Sequence, residues 1–157
     1  MKESDSIKNY ADLLANAART KSREFFACDA SGYAFSYALE APSHEIVVYC
    51  AEPGMGKTTI LTTCVAQRAL DGDETRYEDF SNSLPDECAD RLGDLLRWCT
   101  NKSRKARQCV VSCDNIPACD EVDVDRQVDL IRKISRTGCV VLLGIAPEAE
   151  GILDRLR

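Results

Sequence analysis

Short continuous apolar runs alternate along the chain with stretches in which apolar residues recur every three or four positions. Ile46-Val47-Val48-Tyr49-Cys50 is a run of the kind found in a strand buried on both faces, whereas Ile60, Leu61, Cys64, Val65 and Leu70 fall on one face of a helix that Gly72 is placed to stop. A weaker strand is expected within residues 75–80. Beyond it, Ser83-Leu84-Pro85-Asp86-Glu87 reads as an N-cap serine, a first-turn proline and acids at the positive end of a helix, whose buried face would be Leu92, Leu95, Leu96 and Cys99. Two further strands are expected at 109–113 and 139–145. Between them lies a helix through Val124, Val128 and Ile131 that Gly138 ends, and residues 147–157 start another helix. Strands alternating with helices in this way imply a parallel β-sheet covered on both faces, an α/β architecture of three layers.

The first 43 residues read differently. Ile7, Tyr10, Leu14 and Ala17 give residues 6–19 the spacing of an amphipathic helix, and a short helix after Ser31 is expected to end at Pro42. The expected division is therefore an N-terminal helical extension over 1–43 and an α/β domain over 44–157. The pattern stops without a fifth strand or a lid, so the domain is expected to be incomplete at its C-terminal end and to belong to a longer chain.

Composition adds limits. A chain 45% hydrophobic and 29% charged has the balance of a soluble globular domain, and with 26 acids against 20 bases the formal net charge is −6. The local concentration of bases is Lys102, Arg104, Lys105 and Arg107, too little to predict direct nucleic-acid contact by this segment. The acids in Met1-Lys2-Glu3-Ser4-Asp5 stand where a signal peptide would be apolar, and no run reaches the ~18 residues of a membrane span, so a cytoplasmic location without membrane contact is expected. Nine cysteines are present (28, 50, 64, 88, 99, 109, 113, 119 and 139), but their number is odd. No Cys-x-x-Cys pair occurs, and His44, the single histidine, has no cysteine beside it at zinc-ligand spacing. They are read as small buried hydrophobes rather than as a disulfide or metal framework.

The chemistry begins at Ala51-Glu52-Pro53-Gly54-Met55-Gly56-Lys57-Thr58, a phosphate-loop pattern that follows a strand and opens a helix. Gly54 and Gly56 would let backbone N–H groups turn inward around phosphates, with the helix N-terminus adding partial positive charge. Lys57 would meet the β- and γ-phosphates and the Thr58 hydroxyl would ligate Mg2+. Alanine at the first position is a small departure from the commoner glycine. The expected contacts to a nucleoside triphosphate are Glu52, Pro53, Gly54, Met55, Gly56, Lys57, Thr58 and Thr59.

Val110-Val111-Ser112-Cys113-Asp114 is an apolar strand with an aspartate at its carboxyl end, where a magnesium-side carboxylate belongs in an open α/β sheet. Strand-end aspartates also cap turns, and the phosphate loop decides between the two readings. Thr58 and Asp114 are thus the expected metal pair, and Lys57, Asp114 and Asn115 the expected catalytic positions. Asn115 stands where a water-activating acid is often found, and an amide is no general base, so hydrolysis is expected to be slow or absent. Asp120, Glu121 and Asp123 read as the start of the next helix and His44 as a surface residue.

Taken together, Glu52 through Thr59, the Asp114-Asn115 strand end and residues 139–147 resemble the STAND class of signal-transducing P-loop NTPases, relatives of the AAA+ ATPases that include large bacterial transcription regulators with a LuxR-type DNA-binding tail. The likeness spans residues 45–147. It implies a P-loop NTPase fold, ATP or ADP with Mg2+ as ligand, and a switch whose nucleotide state sets the packing of C-terminal domains. It also implies activation-dependent homo-oligomers and DNA contact only through such a domain. Asn115 and the Gly144-Ile145-Ala146-Pro147 strand end, which lacks a polar sensor residue, depart from the family pattern. An active AAA+-like motor or loader ATPase is the alternative. A small-molecule kinase would need lid arginines, for which Arg126, Arg132 and Arg136 are the helical candidates, and an interaction module with a vestigial loop is opposed by the intact Lys57 and Thr58.

Overall fold

The computed structural model describes residues 29–157 except 53, 55, 102–107 and 119, with side chains described from Phe35 onward. The expected helix at 6–19 and the basic stretch at 102–107 therefore lie outside the described residues. The elements in chain order are α1 (Asp29–Glu40), β1 (Ile46–Cys50), α2 (Lys57–Leu70), β2 (Glu74–Asp79), α3 (Pro85–Thr100), β3 (Cys109–Ile116), α4 (Glu121–Arg136) and β4 (Val140–Ile145). A 3-10 turn (Pro147–Ala149) and α5 (Glu150–Leu156) complete the chain.

All strand pairs are parallel, in the order β1-β4-β3-β2. The period of two along each strand sends alternate side chains to opposite layers. Val110, Val140 and Leu142 meet Leu61, Cys64, Val65 and Ala66 of α2 and Ala38 of α1. Val111, Val141, Leu143 and Ile145 meet Leu92 and Leu95 of α3, Val128 and Ile131 of α4 and Ile152 of α5. Every residue of β4 is buried, as expected of a central strand with both faces covered. The α/β expectation, a parallel sheet between helices, therefore holds, and α1 is part of the core on the α2 side.

Two sequence expectations need correction. Ser83 does not cap α3. Leu84 occupies that position with Pro85 next, and its backbone N–H is met at 3.4 Å by Glu87, while the Ser83 hydroxyl accepts from Arg91 at 2.7 Å. The strand expected at 109–113 runs on to Ile116, so Asp114 lies within β3 and pairs with Asp79 of β2. The extension contains a β-bulge: Cys113 pairs with Leu143 and Ile116 with Ile145, three steps along β3 against two along β4. The extra residue reverses the facing of the strand beyond it, so Ile116 joins the core on the α3 side while Asp114 points with Val110 toward α2.

The helix-start reading of Asp120 holds: its carboxylate accepts from the Asp123 backbone N–H at 2.9 Å as the N-cap of α4. His44 is exposed and its Nδ1 lies 3.0 Å from the Ser135 carbonyl. Arg126, Arg132 and Arg136 lie on the exposed face of α4. Among the described residues no helix is long and apolar enough to cross a membrane.

Candidate functional site

The carboxyl ends of β1, β3 and β4 and the head of α2 enclose a cleft of about 570 Å³ lined by Glu52, Gly54, Gly56, Lys57, Thr58, Thr59, Ser81, Asn115 to Ala118, Ala146, Glu148 and Ala149. This is the crevice outside the strand ends where ligands of open α/β sheets bind. Gly54 and Gly56 have φ of 84° and 83°, the left-handed region that a side chain disfavours, and this geometry turns the chain tightly from β1 into α2. Gly56 is also the N-cap of α2, without a side-chain cap, and the first turn carries no acid. The head of α2 therefore keeps backbone N–H groups and helix-dipole positive potential open to an anion. Pro53 and Met55 lie outside the described residues.

Lys57, the first residue of α2, is 8% exposed. A cation at the positive end of a helix is unfavourable unless an anion is near. Among the described residues its partner is the Ala51 carbonyl, 3.4 Å from Nζ, and no described carboxylate lies within ion-pair distance. Lys57 thus sits buried at a point of positive potential in the lining of the cleft.

Asp114 is fully buried. Its Oδ2 accepts from the Thr58 hydroxyl at 2.6 Å and from the Tyr77 hydroxyl at 2.8 Å, and its Oδ1 accepts from the Asn115 backbone N–H at 2.9 Å. Three donors offset much of the cost of burying a carboxylate, and hydrogen bonds of this charge-assisted kind are the strong ones. Lys57 on α2 and Asp114 on β3 both lie over Gly144 of the neighbouring strand β4, whose bare backbone leaves room for them. A Cβ there would sit 2.4 Å from Asp114 Oδ1, 2.8 Å from Leu61 Cδ1 and 3.3 Å from Lys57 Cδ.

Asn115 has φ of 59°, a conformation that asparagine tolerates better than most residues, and it is the bulged position. Its side-chain amide donates to Asp79 Oδ1 at 3.0 Å, and the Ser81 N–H donates to the same oxygen at 2.9 Å. Burial pushes the Asp79 carboxyl up, but these donors and the charge of Arg91 outweigh it, so Asp79 sits below its ordinary value. Asn115 is thereby fixed as a structural bridge between β3 and the β2 end.

Of the residues expected from sequence, Glu52, Gly54, Gly56, Lys57, Thr58, Thr59 and Asn115 share the cleft, and Asp114 lies beneath it in contact with Thr58. Sequence reasoning missed Tyr77, Asp79, Gly144 and Glu148. Tyr77 and Asp79 sit in a strand with little apolar character, and only the pairing of β2 with β3 brings them to Asp114 and Asn115. Glu148 is an exposed carboxylate in the cleft wall, set just beyond the β4 end whose own residues are apolar.

The donor set fits a magnesium-bound polyphosphate. The Thr58 hydroxyl donates its hydrogen bond to Asp114, which leaves its oxygen lone pairs to a hard cation, and hydroxyl plus carboxylate is an all-oxygen set. Comparison with protein-family models and with curated proteins finds no match for this chain.

Proposed function

We propose that this chain binds a nucleoside triphosphate with Mg2+ in the cleft at the head of α2 and acts as a nucleotide-dependent switch with slow or absent hydrolysis. The observation that carries the reading is the Thr58–Asp114 hydrogen bond of 2.6 Å at the mouth of a helix entered through two left-handed glycines. Lys57 and the N–H groups of α2 would hold the phosphates, and Thr58 with Asp114 would hold the ion, which when bound neutralises phosphate charge. Glu52 and Glu148 in the cleft wall repel a bare polyphosphate, so the magnesium complex is the expected ligand.

The bridge from Asn115 to Asp79 supports the slow-hydrolysis half of the proposal. An amide tied to a carboxylate offers no base to an attacking water. The resemblance to STAND-class NTPases extends the reading to a regulatory domain of a longer protein, with adenine as the expected base and with C-terminal domains, DNA through one of them, and homo-oligomers as expected partners. Glu148 favours one second reading, an active AAA+-like ATPase in which that carboxylate orients the water.

Calorimetric titration with Mg-ATP, Mg-ADP and Mg-GTP, with phosphate release measured on the same sample, tests both halves. Saturable binding without release supports the switch, and release that Glu148→Gln abolishes favours the ATPase. If Mg-nucleotide neither binds nor raises Tm, or if Lys57→Ala leaves binding intact, the proposal fails.

A further inference from the structure

Three cysteines far apart in sequence meet at the amino end of the two central strands, the end opposite the cleft. Cys99 lies on the buried face of α3 near its C-terminal end, Cys109 opens β3, and Cys139 immediately precedes β4. Their Sγ atoms all lie within 4.8 Å of one another, with Cys99 and Cys139 buried and Cys109 half-buried. Among the described residues no cysteine is in a disulfide. From Cys109 to Asp114 is five residues of strand, about 16 Å at ~3.3 Å per residue, so the trio is separate from the cleft.

We propose that Cys99, Cys109 and Cys139 form a three-thiolate site for a thiophilic d10 ion, Zn2+ or Cu+, that pins the end of α3 to the starts of β3 and β4. The donor set is sulfur alone, which selects soft ions and excludes Mg2+ and Ca2+. Thiolates at the Zn–S distance of ~2.3 Å stand roughly 3.8 Å apart around a tetrahedral ion, so the trio contracts by no more than about 1 Å on binding. Zn2+ would take a water as fourth ligand, whereas Cu+ is satisfied by three sulfurs. The Thr137 hydroxyl, which donates to the Ile134 carbonyl at 2.6 Å, also lies 3.3 Å from Cys139 Sγ, where it can donate to a thiolate and steady it.

Ordinary packing accounts for single buried thiols such as Cys64, which lies among apolar side chains of the α2 layer. It gives no reason for three sulfurs from three elements to converge, and a disulfide would use two of them and strand the third. A free cysteine thiol is protonated near neutral pH, and a metal takes it as the thiolate. Uptake then releases three protons to solvent as three metal–sulfur bonds form, and affinity falls steeply with falling pH.

The test is titration of the fully reduced chain, without oxygen, with Zn2+ and separately with Cu+, ions counted by native mass spectrometry and Co2+ serving as an optical probe. One ion per chain is expected. Tm should rise by roughly 5–10 °C at free ion a hundredfold above Kd. Thiolate-to-cobalt charge transfer should appear in the unmodified chain and in Cys64→Ser and Asp114→Asn, and vanish in Cys99→Ser, Cys109→Ser and Cys139→Ser. Should those variants fold poorly, alkylation mapping of the unmodified chain replaces them: the bound ion should protect these three cysteines and leave the exposed Cys50 reactive. The inference is overturned if the reduced chain takes up no ion, if uptake persists in the triple serine variant, or if bound ion leaves the trio open to alkylation. It stands or falls independently of nucleotide binding.

Discussion

The Thr58 hydroxyl and the Asp114 carboxylate, 56 residues apart in sequence, meet at 2.6 Å where the head of α2 crosses the end of β3. Thr58→Val keeps the shape and deletes the donor, leaving Asp114 with Tyr77 and the Asn115 N–H. The expected result is a loss of about 0.5–1.5 kcal/mol of stability and a much larger loss of the magnesium-dependent part of nucleotide affinity, on the order of 10–100-fold. Titrating Mg2+ at fixed ATP for Thr58→Val and Thr58→Ser checks this, with serine expected to retain most of the affinity. Equal magnesium dependence in valine and serine variants would remove Thr58 from the ion's coordination.

Gly144 makes a second, independent prediction. Its replacement by alanine would drive a methyl to 2.4 Å from Oδ1 of Asp114, whose carboxylate is held by three donors in all, and to 2.8 Å from Leu61. Leu61 has some freedom to move, but Asp114 does not, so about 1–3 kcal/mol of destabilisation is expected. Gly93 in α3 has open space around it, and alanine there should stabilise by roughly 0.5–1 kcal/mol. Chemical denaturation of the two variants side by side decides the matter. If both shift the same way, the close approach at Gly144 is not what holds that position as glycine.

These two residues mark the boundary of what the sequence reveals. The loop from Glu52 to Thr59 and the strand ending at Asp114 are legible because a buried strand, a glycine pair and a lysine leave local traces. The need for a bare backbone at Gly144 leaves none, since it arises from α2 packing over β4 beside the Asp114 carboxylate of β3. The bulge at Asn115 is equally invisible, because one added residue changes the facing of Ile116 without changing composition. The strand Glu74–Asp79 carries mostly polar residues, so neither Tyr77 nor Asp79 announces a role. Spacing rules for metal ligands look for neighbours in sequence, and Cys99, Cys109 and Cys139 become neighbours only when α3, β3 and β4 assemble.

The Asp79 carboxyl gives a pH prediction. Its folded-state value is below the unfolded value of about 3.9, so its contribution to stability is present above that pH and is lost as pH falls through the lower folded value. Asn115→Gly removes the amide donor while keeping the left-handed backbone available. The difference in Tm between the native chain and Asn115→Gly should therefore be larger at about pH 6 than at about pH 2.5. A difference that stays constant across that range would show that the amide does not hold the carboxylate.

Arg68 gives the sharpest stability prediction. It is 4% exposed, and its guanidinium reaches in three directions: Nε to Asp73 at 2.8 Å, one terminal nitrogen to the Ala38 and Ala41 carbonyls at 3.2 and 3.1 Å, and the other to Gln108. It ties α2 at once to the end of α1, to the turn before β2 and to the residue before β3. Arg68→Ala would leave the buried Asp73 carboxylate unpaired and two carbonyls without their donor, at a cost of about 3–5 kcal/mol. Lysine carries the charge, but its single ammonium cannot span the same fork, so Arg68→Lys should recover less than half of that loss. Asp73 already holds one buried oxygen without a partner. Asp73→Asn in the Arg68→Ala background should then restore stability, because it removes the stranded charge. Hydrogen exchange supplies the readout that separates anchoring from charge balance. Backbone amides of Asp29–Glu40 should lose protection in both Arg68 variants and stay unprotected in the double variant, even where its melting temperature recovers.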